Sequence, residues 1–146
     1  MKLATRLATA LALVSMPLPA LADTLHGVMC RDPSCTCCET YAAYLKQNGI
    51  DVELKPALNL AQISQDAGVP TSVQGCHTIM LNGYVIEGLV PIGAIQKMLK
   101  EQPKITGIAL AGMPMGSPGM GGTKTEPLTV YAFTKGSSAT PVYDTE

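Results

Sequence analysis

The sequence predicts one α/β domain: a mixed sheet with helices on its faces, then a Gly/Met/Pro-rich loop and a terminal β-hairpin. Three observations predict it. Apolar residues recur at two-residue steps in some segments and at three- and four-residue steps in others, in the order strand, helix, strand, helix, strand, strand, helix. Asn82-Gly83 separates two apolar runs, and a two-residue hairpin turn needs positive φ at both central residues. Cys35-x-x-Cys38 falls where the first strand gives way to the first helix.

Each element has its own signal. Leu25, Val28 and Met29 make residues 24–29 a short strand, and Arg31-Asp32-Pro33-Ser34 is a turn. From Cys38, the recurrence of Tyr41, Tyr44 and Leu45 predicts a helix, closed at Asn48-Gly49 by a Gly suited to the left-handed position. Residues 50–54 alternate apolar and charged, as a strand with one wet face does. Asn59 is a candidate cap for a short helix carrying Leu60, Ile63 and Ala67, ended by Gly68, and residues 70–75 are a loop. Residues 77–81 and 84–87 flank Asn82-Gly83, and Glu87 is predicted to be solvated. Pro91 opens a helix with Ile92, Ile95, Met98 and Leu99 on one face, and Pro103 stops it. Residues 105–122 are predicted to be loop, and residues 128–133 and 140–143 a hairpin around Lys135-Gly136-Ser137.

The first 22 residues read as a secretory signal peptide. Lys2 and Arg6 start it, residues 7–14 are apolar and too short to anchor in a bilayer, and Ala20-Leu21-Ala22 is a small-x-small cleavage site. Cleavage between Ala22 and Asp23 leaves a single domain, 23–146. Of the 10 Lys and Arg residues, Lys2 and Arg6 leave with the leader, so 8 basic face 11 acidic residues. Nothing basic is clustered, which argues against nucleic acid, and no later segment is predicted to span a membrane. The expected setting is an oxidising space such as the bacterial periplasm, with a monomeric chain.

All five cysteines, Cys30, Cys35, Cys37, Cys38 and Cys76, lie beyond the leader. An odd count in a secreted chain leaves at least one thiol free, shared or bound to metal. Three thiols within Cys35-Thr36-Cys37-Cys38 suit soft-metal binding or disulfide exchange. The unpaired N–H groups and dipole of a helix start favour thiolate, which is both ligand and nucleophile. Neighbours Cys37 and Cys38 form a strained disulfide with each other and more naturally share metal.

The element order matches the thioredoxin-like arrangement. There the loop leading into the third strand faces the first strand–helix junction, which directs Cys76, and His77 with it, at the three-cysteine cluster. A thioredoxin-type enzyme keeps a proline at that loop. Here Gly75-Cys76-His77 occupies the place, which argues against a disulfide oxidoreductase working through Cys35 and Cys38. Clustered thiolates favour Cu(I), which sulfur can bridge. Zinc competes, because Cys35, Cys37 or Cys38, Cys76 and His77 can supply a tetrahedron. In Gly112-Met113-Pro114-Met115-Gly116-Ser117-Pro118-Gly119-Met120, three methionines lie in a loop. They read either as soft ligands for Cu(I) or as adaptable apolar contacts. Met98, Tyr41, Tyr44 and Tyr84 read as packing, and His26 as a surface residue.

Together, C-x-C-C, Gly68-Val69-Pro70, Cys76-His77-Thr78, the run Asn82-Gly83-Tyr84-Val85-Ile86-Glu87-Gly88, Val90-Pro91 and the methionine loop resemble the CopG-type family of periplasmic copper-resistance proteins. The resemblance covers nearly all of the mature chain. It implies a thioredoxin-like fold, several copper ions held by Cys35, Cys37, Cys38 and Cys76, and His77 and Met113 close by, with Met115 and Met120 as weaker candidates. It also implies a role in changing copper's oxidation state, which makes a copper oxidoreductase conceivable, and exchange with other periplasmic copper-handling proteins. Two positions depart from the pattern. Leu89 stands where members often carry His, and Cys30 where many carry another residue. Cys30 reads first as a strand-end thiol packed like a small hydrophobe, and otherwise as an added ligand or a disulfide partner.

Overall fold

The computed structural model describes residues 24–146, so the predicted leader and its cleavage site lie outside the described residues. Seven strands form one mixed sheet in the order β2-β1-β3-β4-β5-β6-β7. The chain runs β1 (Leu25–Arg31), α1 (Thr36–Gln47), β2 (Ile50–Pro56), α2 (Leu60–Asp66), a 3₁₀ turn (Thr71–Val73), β3 (His77–Leu81), β4 (Tyr84–Glu87), α3 (Ile92–Glu101), β5 (Gly107–Leu110), β6 (Thr129–Phe133) and β7 (Val142–Thr145). The predicted order therefore holds through α3. β1 pairs parallel with β2 and antiparallel with β3.

Alternation along the strands sorts the side chains. Met29, Ile79, Leu81, Ile86, Ile108 and Leu110 enter one core with Cys38, Tyr41 and Leu45 of α1 and Ile95 and Met98 of α3. The intervening residues face the other way. There Val85, Ala109 and Phe133 meet Val69 and Val73, and Thr78 bonds Ser64 of α2. α1 and α3 thus cover one face, and α2 covers part of the other. At the hairpin, Asn82 and Gly83 both take positive φ, +48° and +82°, which fixes Thr78 opposite Glu87.

Three sequence expectations need correction. Residues 105–122 are not all loop: β5 lies within them, inside the sheet between β4 and β6, with all four residues buried. A strand buried on both faces shows no alternation, so Gly-Ile-Ala-Leu carried no periodic signal. The terminal hairpin exists, but its second strand runs from Val142 to Thr145 rather than over 140–143. Pro141 lacks the N–H a ladder needs; its carbonyl still accepts the Ala132 N–H at 2.8 Å, and the strand itself begins after it. Asn59 precedes α2 without a side-chain cap; its carbonyl instead accepts the N–H groups of Gln62 and Ile63.

Candidate metal centre

Cys35 sits at the N-cap of α1, and Cys37 and Cys38 lie in its first turn, among N–H groups with no partner inside the helix. Arg31, at the end of β1, holds the turn before them. Its Nη1 donates to the carbonyls of Asp32, Pro33 and Cys35 at 3.2, 3.3 and 3.1 Å, and its Nη2 pairs with Glu39 at 2.8 Å. Cys76 lies one residue before β3, whose first residue His77 pairs with Arg31 at the end of β1, so the neighbouring strand brings it to the same turn.

The four sulfur atoms all lie within 4.8 Å of one another. Cys35 and Cys38 are joined as a disulfide, and Cys37 and Cys76 are free. Cys35 Sγ lies 3.0 Å from Cys76 Sγ and 3.3 Å from Cys37 Sγ. Cys76 Sγ is 3.6 Å from Cys38 Sγ and 3.8 Å from Cys37 Sγ. Burial, and then the neighbouring Cys37, push the Cys76 thiol up to about 12. A bound soft cation inverts that balance, because a coordinated thiol is deprotonated outright.

His77 opens β3 and is fully buried. Its Nε2 lies 3.0 Å from the Gly88 carbonyl. A carbonyl only accepts, so Nε2 carries the hydrogen and Nδ1 keeps a lone pair. Nδ1 is 3.4 Å from Cys38 Sγ and 3.8 Å from Cys76 Sγ. Burial lowers this imidazole to about 4, so it is neutral at physiological pH. The Tyr41 ring lies beside it, 5.2 Å between centroids, and the Tyr41 hydroxyl donates to Val90 O at 2.7 Å. Four sulfurs and one directed nitrogen lone pair suit a soft cation, once the Cys35–Cys38 bond is opened to free its two donors.

A cleft of about 980 Å³ opens onto Cys35, Cys37 and Cys76. Met113 and Met120 line it as well. The loop bearing them seats on α1 at Gly119, whose φ is +86° and where an added Cβ would stand 3.0 Å from the Tyr41 backbone and side chain. Met115 is exposed, is not among the cleft's lining residues, and packs against Gly122.

A family model described as a protein of unknown function, DUF411, matches residues 73–120. No curated protein matches the chain. Two solved structures of the copper resistance protein CopG are each 32% identical to it. Form 2 aligns with a TM-score of 0.77 over 85% of this chain and 99% of that one; form 1 aligns with 0.76, over 85% and 98%. This chain belongs to the CopG family.

The CopG-type sequence holds one site-supporting residue that was misread. Glu87 is not solvated but fully buried. Its Oε1 accepts the Gly75 N–H at 2.6 Å, and its Oε2 accepts from the Thr78 hydroxyl at 2.8 Å. Thr78 meets Ser64 at 2.7 Å, and Ser64 donates to Leu60 O at 3.1 Å. Burial raises the Glu87 carboxyl to about 7. The signal was present, because the Asn82-Gly83 register sets Glu87 across from Thr78. Cys30, half-buried and free, follows core-facing Met29 and is outside the group of four. Leu89 is buried in the core. His26 is exposed, and Met98 is core, as the periodicity predicts.

Proposed function

We propose that this chain is a periplasmic copper-binding protein of copper resistance and homeostasis. Its cargo is Cu(I), held by the thiolates of Cys35, Cys37, Cys38 and Cys76 with His77 Nδ1 beside them, several ions per chain when every sulfur is reduced. Met113 and Met120, which line the cleft, act as auxiliary soft donors. The centre cycles copper between Cu(I) and Cu(II) and exchanges it with other periplasmic copper-handling proteins, and the chain works as a monomer released from its leader. The observation that carries this reading is the gathering of four sulfurs within 4.8 Å of one another, three of which, those of Cys35, Cys37 and Cys76, line an open cleft. The relatives named for copper resistance support copper over zinc. Among the described residues no helix is long and apolar enough to cross a membrane.

Metal analysis and X-ray absorption on protein purified under argon test the reading. Several copper ions in a sulfur environment are expected. At most one weakly held copper, or preference for zinc in direct competition, overturns it. A second reading, thiol–disulfide oxidoreductase, is favoured by the Cys35–Cys38 bond; it requires the metal-free protein to turn over a protein disulfide.

A further inference from the structure

Four sulfurs share this centre, yet they fall into two pairs. Cys35 and Cys38 are bonded to each other, while Cys37 and Cys76 stay free at 3.8 Å. Each member of the bonded pair touches the free pair: Cys35 lies 3.0 Å from Cys76 and 3.3 Å from Cys37, and Cys38 lies 3.6 Å from Cys76. Electrons leaving the first pair therefore start in contact with the atoms that would hold an ion.

We propose that the Cys35/Cys38 pair is the electron store of the centre: as a dithiol it reduces two Cu(II) ions to Cu(I) and closes its own disulfide, while Cys37, Cys76 and His77 retain the product. The proposal rests on the copper reading above. The balance is complete. Each Cu(II) gains one electron, one S–S bond forms, two S–H bonds break, and two protons leave to solvent. The same step changes the donor count. Before it, four thiols and His77 Nδ1 are available. After it, two thiols and the imidazole remain, three donors that suffice for a single Cu(I). The second Cu(I) is released into the cleft, so reduction and delivery are one event.

Resetting the store takes two thiols, from one dithiol protein or from two molecules of a small thiol. Cys35 lines the cleft whereas Cys38 is fully buried, so the incoming thiolate attacks Cys35. Cys38 leaves as thiolate beside His77 Nδ1, 3.4 Å away. A second thiolate of the reductant then completes its own disulfide and both cysteines are restored.

The test uses protein fully reduced under argon and freed of reductant. It receives weakly buffered Cu(II), Cu(I) is read with a Cu(I)-specific chromogenic chelator, and disulfides are mapped by alkylation and peptide mass spectrometry. The expected yield is about two Cu(I) per chain, the two-electron equivalence of one disulfide, with Cys35–Cys38 the new bond. Cys35→Ser and Cys38→Ser each lower that yield about tenfold or more in the same time, and Cys30→Ser leaves it unchanged. A Cys37–Cys76 or interchain disulfide in the wild type overturns the proposal, and so does an undiminished yield in Cys35→Ser. Mapping on the wild type decides the matter even where a variant folds poorly. The same preparations are offered Cu(I) directly. Protein that holds Cu(I) but reduces no Cu(II) overturns this inference and leaves the copper site standing, whereas protein that holds neither overturns both.

Discussion

Glu87 accepts the backbone N–H of Gly75 at 2.6 Å, and Gly75 is the residue before Cys76. A carboxyl on one face of the sheet thereby anchors the peptide that presents a thiol to the other. The anchor is buried and its ionisation is disfavoured, which gives it a pH signature.

Glu87 has a folded-state value of about 7 against an ordinary 4.5. Below 4.5 the group is protonated whether the chain is folded or not, and its contribution to stability is complete. Between 4.5 and about 7 only the folded chain keeps the proton, so stability falls as pH rises, by on the order of 3 kcal/mol in all. Glu87→Gln mimics the protonated form, since its amide donates to Thr78, Thr78 to Ser64 and Ser64 to Leu60 O. Urea midpoints of metal-free protein should coincide for the two chains below about pH 4, with the variant the more stable above pH 7. Parallel curves across that range would discard this account of Glu87.

Cys76→Ser should weaken Cu(I) binding by more than about 100-fold, beyond the 10–100-fold typical of losing an outer partner. Cys30→Ser should leave affinity and stoichiometry as they are. Competition with a colorimetric chelator measures both, and a large loss in Cys30→Ser would mean that its face of the sheet also takes part.

Tyr41→Phe removes the donor to Val90 O while leaving the ring against His77. A buried carbonyl then loses its partner, at a cost of about 1–3 kcal/mol. Denaturant unfolding reads this directly, and a change under 0.5 kcal/mol would show that the carbonyl finds another donor.

Gly119→Ala places a methyl 3.0 Å from Tyr41 at a φ of +86°. The left-handed backbone alone costs about 1–2 kcal/mol, and the contact lifts the loop from α1. Hydrogen exchange should quicken over residues 112–122 with the sheet unaffected. Unchanged exchange there would mean that the loop's seating does not depend on this glycine.

Much of the architecture was legible because its signals are local. Asn82-Gly83 specified a hairpin through backbone conformation alone, and the i, i+3, i+4 rows of Tyr41, Tyr44 and Leu45, and of Ile92, Ile95 and Met98, specified two helices facing one core. β5 was invisible because a doubly covered strand has no polar beat, and it was hidden in a stretch dominated by glycine and methionine. The approach of Cys76 to Cys35 was legible only through topology, since 41 residues separate them. Glu87 was misread because a carboxylate on a short strand is ordinarily wet. The Gly75 N–H, its register partner Thr78, and Ser64 beyond that make burial tolerable. That Met113 and Met120 line the cleft while Met115 does not follows from loop seating, which leaves no periodic trace.

Two remote segments build the sulfur basin, so an unfolded polypeptide offers only a remnant of it. An ion seated there is lost when the sheet opens, which makes occupancy and tertiary integrity a single equilibrium. Saturation at about 1,000 times the dissociation constant would add about 4 kcal/mol to unfolding. The melting temperature thereby becomes a gauge of cargo, and a strong chelator acts on this chain as a mild denaturant.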